Sequence, residues 1–347
     1  MTGDLTTERP ADDRGVVGLR AGLAGYGLAG AVFHAPLIDA VEGIHLVKVM
    51  TRSAERAEQA RAAHPDVEVV DSVDELLDKI DLLVVASPNA THAPLALAGL
   101  EAGVHVVVDK PMAVTSTDAR RLLDAGRDRV TVFHNRRWDG DFLTVKRLAA
   151  EGALGPVTRF ESRFERFRPE IKQGWREEAG AATGGGTLLD LGPHLVDQAI
   201  HLFGPPVSVY GEVRTRRPGA QVDDDVFIAL QHAGGEISHL WASAIAPLHG
   251  PRFRVSGLDA GFACDGLDPQ EAQLRDGMRP SDPGFGDGAA GWLTRDDPRP
   301  MEIRLEQGQY VRFYEGVRNW LRGDAPPPVD PADGVRVLEV LEQARRG

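Results

Sequence analysis

From Leu19 onward the chain switches between short apolar runs and longer amphipathic or charged stretches. Leu19 to Ala24, Ile44 to Met50, Val67 to Val70, Asp81 to Ala86, Val104 to Val108 and Val130 to Phe133 are apolar runs of strand length. Two of them, DLLVVA and VHVVV, read as strands covered on both faces. The intervening segments predict helices: one through about Ala40, then Ala54 to Ala63, Val73 to Lys79, Pro94 to Ala102 and Ser116 to Ala125. Six strands alternating with helices predict a Rossmann-type, doubly wound parallel sheet. Its ligands are expected at the carboxyl ends of the strands.

Beyond His134 the period changes to two. Val157 to Phe167, Val207 to Arg216, Val226 to His232, Ile237 to Ser243 and Arg252 to Leu258 alternate as strands, with turn signals such as Ala233-Gly234-Gly235 between them. They predict an α+β region built on a large open, mainly antiparallel sheet with one covered face. Asp265 to Pro300, rich in Gly, Pro and Asp, predicts a long surface excursion. Helices resume at Gln309 to Leu321 and, past Pro326-Pro327-Pro328, at Ala332 to Arg345. The division read from these patterns is a polar tail (1–15), a dinucleotide-binding domain (16–134) and a substrate-binding and oligomerisation domain (135–347).

Composition narrows the function. The chain has 347 residues, 42% of them hydrophobic and 26% charged, with a net charge of -13. Such a balance fits a globular protein of two domains and disfavours nucleic acid or an anionic membrane as partner. No run of about 18 apolar residues is present to span a bilayer, and the first segment has no apolar signal core. The single cysteine, Cys264, has no partner for a disulfide and no CxxC metal spacing, so it reads as a small residue in a strand. A cytoplasmic enzyme is expected. A large apolar sheet face rarely stays exposed, so a homodimer or homotetramer through the open sheet is expected too.

The first chemical signal is Gly25, Gly27 and Gly30, a GxGxxG directly behind the first strand and enclosing Leu28 and Ala29. In a βαβ unit this is a pyrophosphate cradle facing a helix N-terminus. At the end of the second strand, where NAD selectivity normally calls for a carboxylate, the chain reads Thr51-Arg52-Ser53. An arginine fork and two hydroxyls suit a 2′-phosphate, so NADP is preferred, with NAD possible. Ser87-Pro88-Asn89 and His92 close the fourth strand, where Asn89 suits either a ribose contact or a plain turn. Asp109-Lys110-Pro111 ends the fifth strand, placing an amine and a carboxylate beside the expected nicotinamide.

Further on, Gly184-Gly185-Gly186 leads into a stretch with Asp190 and His194 four residues apart, hence on one helix face. Such a pair is either a surface ion pair or an imidazole base steadied by a carboxylate. Read as chemistry, His194 is the base, Asp190 its orienter and a substrate ligand, and Lys110 the electrostatic stabiliser. A hydroxyl-rich substrate needs further polar contacts, for which Arg136, Trp138, Asp139, Arg166 and Arg176 are candidates; an arginine on the open sheet could equally be solvated.

These residues carry a resemblance. The chain resembles the Gfo/Idh/MocA oxidoreductase family over nearly its whole length: Asp109-Lys110-Pro111 corresponds to its EKP motif, and Gly184 to His194 to its GGGxxxDxGxH-type segment. The glycine turn with Phe33-His34-Ala35-Pro36-Leu37, and Phe133-His134-Asn135-Arg136-Arg137-Trp138-Asp139, resemble the subgroup containing NADP-dependent scyllo-inositol dehydrogenases. The resemblance implies a polyol or sugar substrate bound at Lys110, Trp138, Asp190 and His194, and adds Arg137 to the cofactor contacts. One departure is that the family's Glu is Asp109 here, one methylene shorter. The same scaffold also serves NAD-dependent glycoside hydrolysis in some relatives, and a non-catalytic NADP-binding sensor would share the glycine turn.

Overall fold

The computed structural model describes residues 18–171, 177, 180, 184–295 and 299–347. The polar tail 1–15 and Arg176 lie outside them.

The first half is a six-stranded, all-parallel sheet. Its strands are β1 (Leu19–Ala24), β2 (Ile44–Met50), β3 (Glu68–Val70), β4 (Leu82–Val85), β5 (His105–Asp109) and β6 (Val130–Phe133). The order is β3-β2-β1-β4-β5-β6. The chain changes winding direction between β1 and β4, opening a crevice at their carboxyl ends. Every residue of β4 and β6 is buried, as expected for strands covered by helices on both faces. Those helices include α1 (Ala35–Asp39), α2 (Ala54–Ala63), α3 (Val73–Leu77), α4 (His92–Glu101) and α5 (Ser116–Gly126).

The helix expected through Ala40 is not a simple α-helix. Ala29–His34 forms a wider, π-type turn before α1 begins. Pro36 has no N–H to donate and its ring crowds the carbonyl four residues back, so the helix widens just ahead of it.

The second half contains an eight-stranded sheet: β7 (Val157–Glu165), β8 (Pro206–Arg214), β9 (Asp225–His232), β10 (Ile237–Ser243), β11 (Phe253–Gly257), β12 (Gly261–Cys264), β13 (Ala290–Thr294) and β14 (Met301–Arg304). The order is β14-β13-β12-β11-β7-β10-β9-β8, and only the β7–β10 pairing is parallel. Among the described residues its helices are α6 (Gly140–Ala150), α7 (Thr187–Phe203), α8 (Gln270–Arg275), α9 (Val311–Leu321) and α10 (Pro331–Arg346). Alternation is clean in β9, where Val226, Ile228, Leu230 and His232 are buried. Val207, Tyr210, Trp292 and Met301 remain exposed.

The excursion expected over Asp265 to Pro300 is corrected in part. It contains α8 and the paired strand β13, whose five residues are too short to stand out among glycines and prolines. Helix α6 was also unexpected, although Phe142, Val145 and Leu148 bury one face at a spacing of three. Cys264 is buried at the end of β12.

Helix α10 ties the halves together, packing on α5, α7 and β8. The Ser116 N–H and hydroxyl both donate to the Glu342 carboxylate, at 2.6 and 2.8 Å, which anchors the start of α5 to α10. This fixes the carboxyl edge of the parallel sheet against α7.

Candidate active site

The glycine turn is shaped by close approach. Gly25 has φ +100°, and a Cβ there would press on the Ala86 carbonyl oxygen at 2.8 Å. A Cβ on Gly30 would collide with the Gly25 carbonyl. Gly27 is different: a Cβ would meet nothing nearer than the Arg56 guanidinium at 3.8 Å. The backbone beside Gly27 is therefore open on the side where a pyrophosphate would lie, and the turn fits a dinucleotide.

At the end of β2, Thr51 donates its N–H to Val70, and the Ser53 hydroxyl caps α2 by accepting from the Arg56 N–H at 3.4 Å. Arg52 is exposed beside it. Arg56, one helical turn on, was missed by the sequence reading; the available signal was a second basic residue four positions after Arg52.

The fourth-strand residues divide differently from expectation. The Ser87 hydroxyl lies 2.6 Å from that of Thr91, and the Pro88 carbonyl accepts from the Thr91 N–H. Asn89 is buried, and its amide donates to the Gly184 carbonyl at 2.9 Å. This bond ties the glycine-rich entry of α7 to the parallel sheet. His92 is 1% exposed, with its ring nitrogens 2.8 Å from the Pro111 carbonyl and 2.9 Å from the Ser87 carbonyl. It braces the ends of β4 and β5 from inside.

The fifth strand delivers Asp109 and Lys110 to a cavity of about 450 Å³ that Leu28, Ala29, Asp190 and His194 also line. Asp109 accepts from the Lys110 N–H at 2.8 Å. Lys110 Nζ donates to the Asp190 carbonyl at 2.6 Å and to its carboxylate at 3.3 Å. An amine from the Rossmann sheet and an imidazole from α7 thus face one space.

Helix α7 presents both polar groups because its other positions are committed to the core. Leu188, Leu195, Val196 and Ala199 are buried, and Asp223 caps its start by accepting from the Leu188 N–H at 2.6 Å. Asp190 and His194 share a face, as the spacing predicts, but no hydrogen bond joins them among the described residues. The orienting contact expected of Asp190 is corrected: Asp190 engages Lys110 instead. His194 Nδ1 is buried without a partner among the described residues, leaving Nε2 as the nitrogen with access to the cavity. Burial first, then the charges of Lys110 and Arg136, holds this imidazole well below its usual value and favours its neutral form.

Arg137 and Trp138 are not among the described residues that line this space. Arg137 is buried, with Nε and Nη2 on the Asp197 carboxylate at 2.9 and 2.6 Å and Nη2 on Asp333 at 2.8 Å. Nε and Nη2 are thereby committed to carboxylates inside the protein rather than to the expected cofactor contact. Trp138 packs edge-on against Phe313, with ring centroids 5.8 Å apart; it does not line the cavity, which corrects its expected substrate contact. Asp139 is fully buried, accepting from the Tyr310 hydroxyl at 2.6 Å and from Arg136 at 3.3 Å. Arg136 and Arg166 line the cavity, together with Arg168, Glu271 and Arg275, which sequence reasoning had not selected. The last two arrive on α8, inside the stretch expected to be an excursion.

A dinucleotide cradle, an amine and an imidazole meeting across two sheets define a nicotinamide-dependent oxidoreductase site. Residues 19–135 match the oxidoreductase family with an NAD-binding Rossmann fold, and residues 142–263 match the GFO/IDH/MocA C-terminal domain. The chain belongs to the Gfo/Idh/MocA family of oxidoreductases. It is 36% identical to scyllo-inositol 2-dehydrogenase (NADP(+)) IolW of Bacillus subtilis (strain 168), over 94% of this chain and 92% of that protein. It is 43% identical to the uncharacterized oxidoreductase YdgJ of Escherichia coli (strain K12), over 93% and 94% of the two chains. Among solved structures it is similar to an oxidoreductase from Bacillus cereus, at 30% identity and TM-score 0.83, covering 95% of this chain and 96% of that one. No described helix is long and apolar enough to cross a membrane.

Proposed function

We propose that this oxidoreductase transfers a hydride between a secondary alcohol of an inositol-like polyol or sugar and NADP, with NAD as a weaker substitute. A bound nicotinamide dinucleotide supplies the hydride acceptor. His194 takes the hydroxyl proton as the carbon is oxidised, being neutral and open to the cavity through Nε2. Lys110 faces the negative charge that develops on the substrate oxygen and stabilises it. Asp190 holds the amine in place and offers its carboxylate to substrate hydroxyls. The observation that carries the reading is the shared cavity of Lys110 and His194, which come from different halves of the molecule.

Several features support NADP. Thr51-Arg52-Ser53 contains no carboxylate, and Arg56 adds a second guanidinium near the glycine turn. The Bacillus relative's name carries NADP(+). The same proposal includes a homodimer or homotetramer formed through the exposed apolar residues of the open sheet, among them Tyr210 and Trp292. It also includes a cytoplasmic location, which the lone cysteine suits.

The test is a spectrophotometric screen of inositols, aldoses, sugar acids and anhydrosugars with NADP and NAD. Formation of reduced cofactor with at least one polyol or sugar, faster with NADP, is expected. Sugar release from a glycoside without net cofactor reduction would replace this reading with glycoside hydrolysis, and cofactor binding without turnover would leave a sensor.

A further inference from the structure

Among the described residues, charge in the cavity does not balance. Five described cationic side chains line it, Lys110, Arg136, Arg166, Arg168 and Arg275, against three described carboxylates, Asp109, Asp190 and Glu271. Each of these carboxylates already has a partner. Asp190 holds Lys110. Glu271 accepts from Arg136 at 2.9 Å and from Arg275 at 2.8 Å. Asp109 accepts from the Lys110 backbone. Among the described residues, neither Arg166 nor Arg168 has a side-chain hydrogen bond or an ion pair.

These two arginines are held on a defined backbone. The Arg166 N–H donates to the Ser243 carbonyl at 2.9 Å, its own carbonyl accepts from Ala246 at 3.0 Å, and the Arg168 N–H donates to Ala244 at 2.7 Å. In extended chain, residues two apart leave on the same face. Phe167, between them, is 56% exposed. Burial first, and then the neighbouring Arg168, makes the charge on Arg166 costly, with Asp190 and Glu271 acting in the opposite sense. An anion on this pair would relieve that cost. In a chain of net charge -13, unneutralised positive charge gathered in one cavity is selective for what enters it.

We propose that the substrate alcohol carries an anionic group, a carboxylate or a phosphate, seated on Arg166 and Arg168. This rests on the reading of the cavity as a polyol or sugar dehydrogenase site and narrows the substrate to sugar acids, acidic polyols and sugar phosphates. The planar guanidinium fork matches both oxyanions. A neutral polyol would offer the pair no opposite charge.

The test compares kcat/KM on matched compounds: glucose with glucuronate and glucose 6-phosphate, and inositol with an inositol monophosphate, each with NADP and with NAD. At least one anionic member should exceed its neutral parent by about tenfold or more, mainly through KM. The advantage should shrink as salt is raised. It should fall in Arg166→Gln and in Arg168→Gln and be partly kept in Arg166→Lys, with melting temperature and NADPH binding confirming that each variant is folded. Whether carboxylate or phosphate wins identifies the group. If neutral parents are oxidised as well as every anionic partner, or if the glutamine variants leave the ratio unchanged, the inference fails while the dehydrogenase reading stands. If no compound reduces either cofactor, the dehydrogenase reading itself falls, and the inference with it.

Discussion

Lys110 Nζ lies 2.6 Å from the main-chain oxygen of Asp190 and 3.3 Å from its carboxylate. The shorter of these bonds needs no particular side chain at position 190. Lys110→Met should therefore lower kcat by about two to four decades, in line with loss of a group acting on the developing oxyanion. Asp190→Asn, which keeps the main-chain acceptor, should cost clearly less. Cofactor affinity, read by NADPH fluorescence, should change little in either variant; equal losses in the two would contradict this ranking of the roles.

The depressed basicity of His194 sets the pH profile. A lowered value leaves the imidazole neutral until the pH falls well beneath 6.5, the ordinary figure. The acid limb of kcat/KM should then lie below pH 6.5, with activity retained across neutrality. Lys110 is among the charges responsible, so an NMR titration of Lys110→Met should show the His194 value rising. An acid limb above the ordinary histidine range, or a titration unmoved by the substitution, would contradict a neutral base held down by its surroundings.

Arg52 and Arg56 flank the place where NADP and NAD differ. Arg52→Asp should shift the ratio of kcat/KM from NADP toward NAD, and adding Arg56→Ala should extend the shift, by about ten- to a hundredfold in total. The measurement is steady-state kinetics with both cofactors and one alcohol. An unchanged ratio would mean that neither guanidinium reads the 2′-phosphate.

Asp141 offers a stability test away from the chemistry. It is 3% exposed, its Oδ2 has no hydrogen-bond partner among the described residues, and burial, followed by the charge of Asp139, pushes its carboxyl up to about 7. Between the ordinary 3.8 and about 7 the folded chain keeps a proton that the unfolded chain has lost, so this group erodes stability as pH rises through that window. Asp141→Asn keeps the acceptor for the Phe142 N–H and removes the charge. It should be more stable than the parent at pH 8 by a few kcal/mol and show little difference near pH 4. Denaturation at the two pH values checks this, and an equal difference at both would rule out the buried charge as its source.

Much of the architecture was legible because its signals are local. Runs such as DLLVVA must be buried on both faces, and Gly25 sits where only a residue without a side chain tolerates the Ala86 carbonyl. Lys110 and His194 were legible as candidates because each follows a recognisable structural lead-in, a buried strand or a glycine-rich helix entry, and the structure brings both to one cavity. What failed depended on partners far along the chain. Arg137 looks like any basic residue in a turn until Asp197 and Asp333 close around it. His92 looks available until the Pro111 and Ser87 carbonyls take its nitrogens. The Asp190–His194 pairing followed from helical spacing alone, and spacing cannot show that an amine eighty positions earlier competes for the carboxylate. The short strand β13 was hidden for a related reason: its identity comes from pairing with β12, not from its composition.

The central claim is that a carbon-bound hydrogen of the substrate leaves as hydride at this site. The most direct measurement follows the label from scyllo-inositol or a sugar acid deuterated at every carbinol carbon into the reduced cofactor, by mass spectrometry. NADPH heavier by one deuterium, formed by the parent enzyme and lost in Lys110→Met and His194→Ala, is the predicted result. Unlabelled NADPH, or label transfer undiminished in both variants, would contradict it.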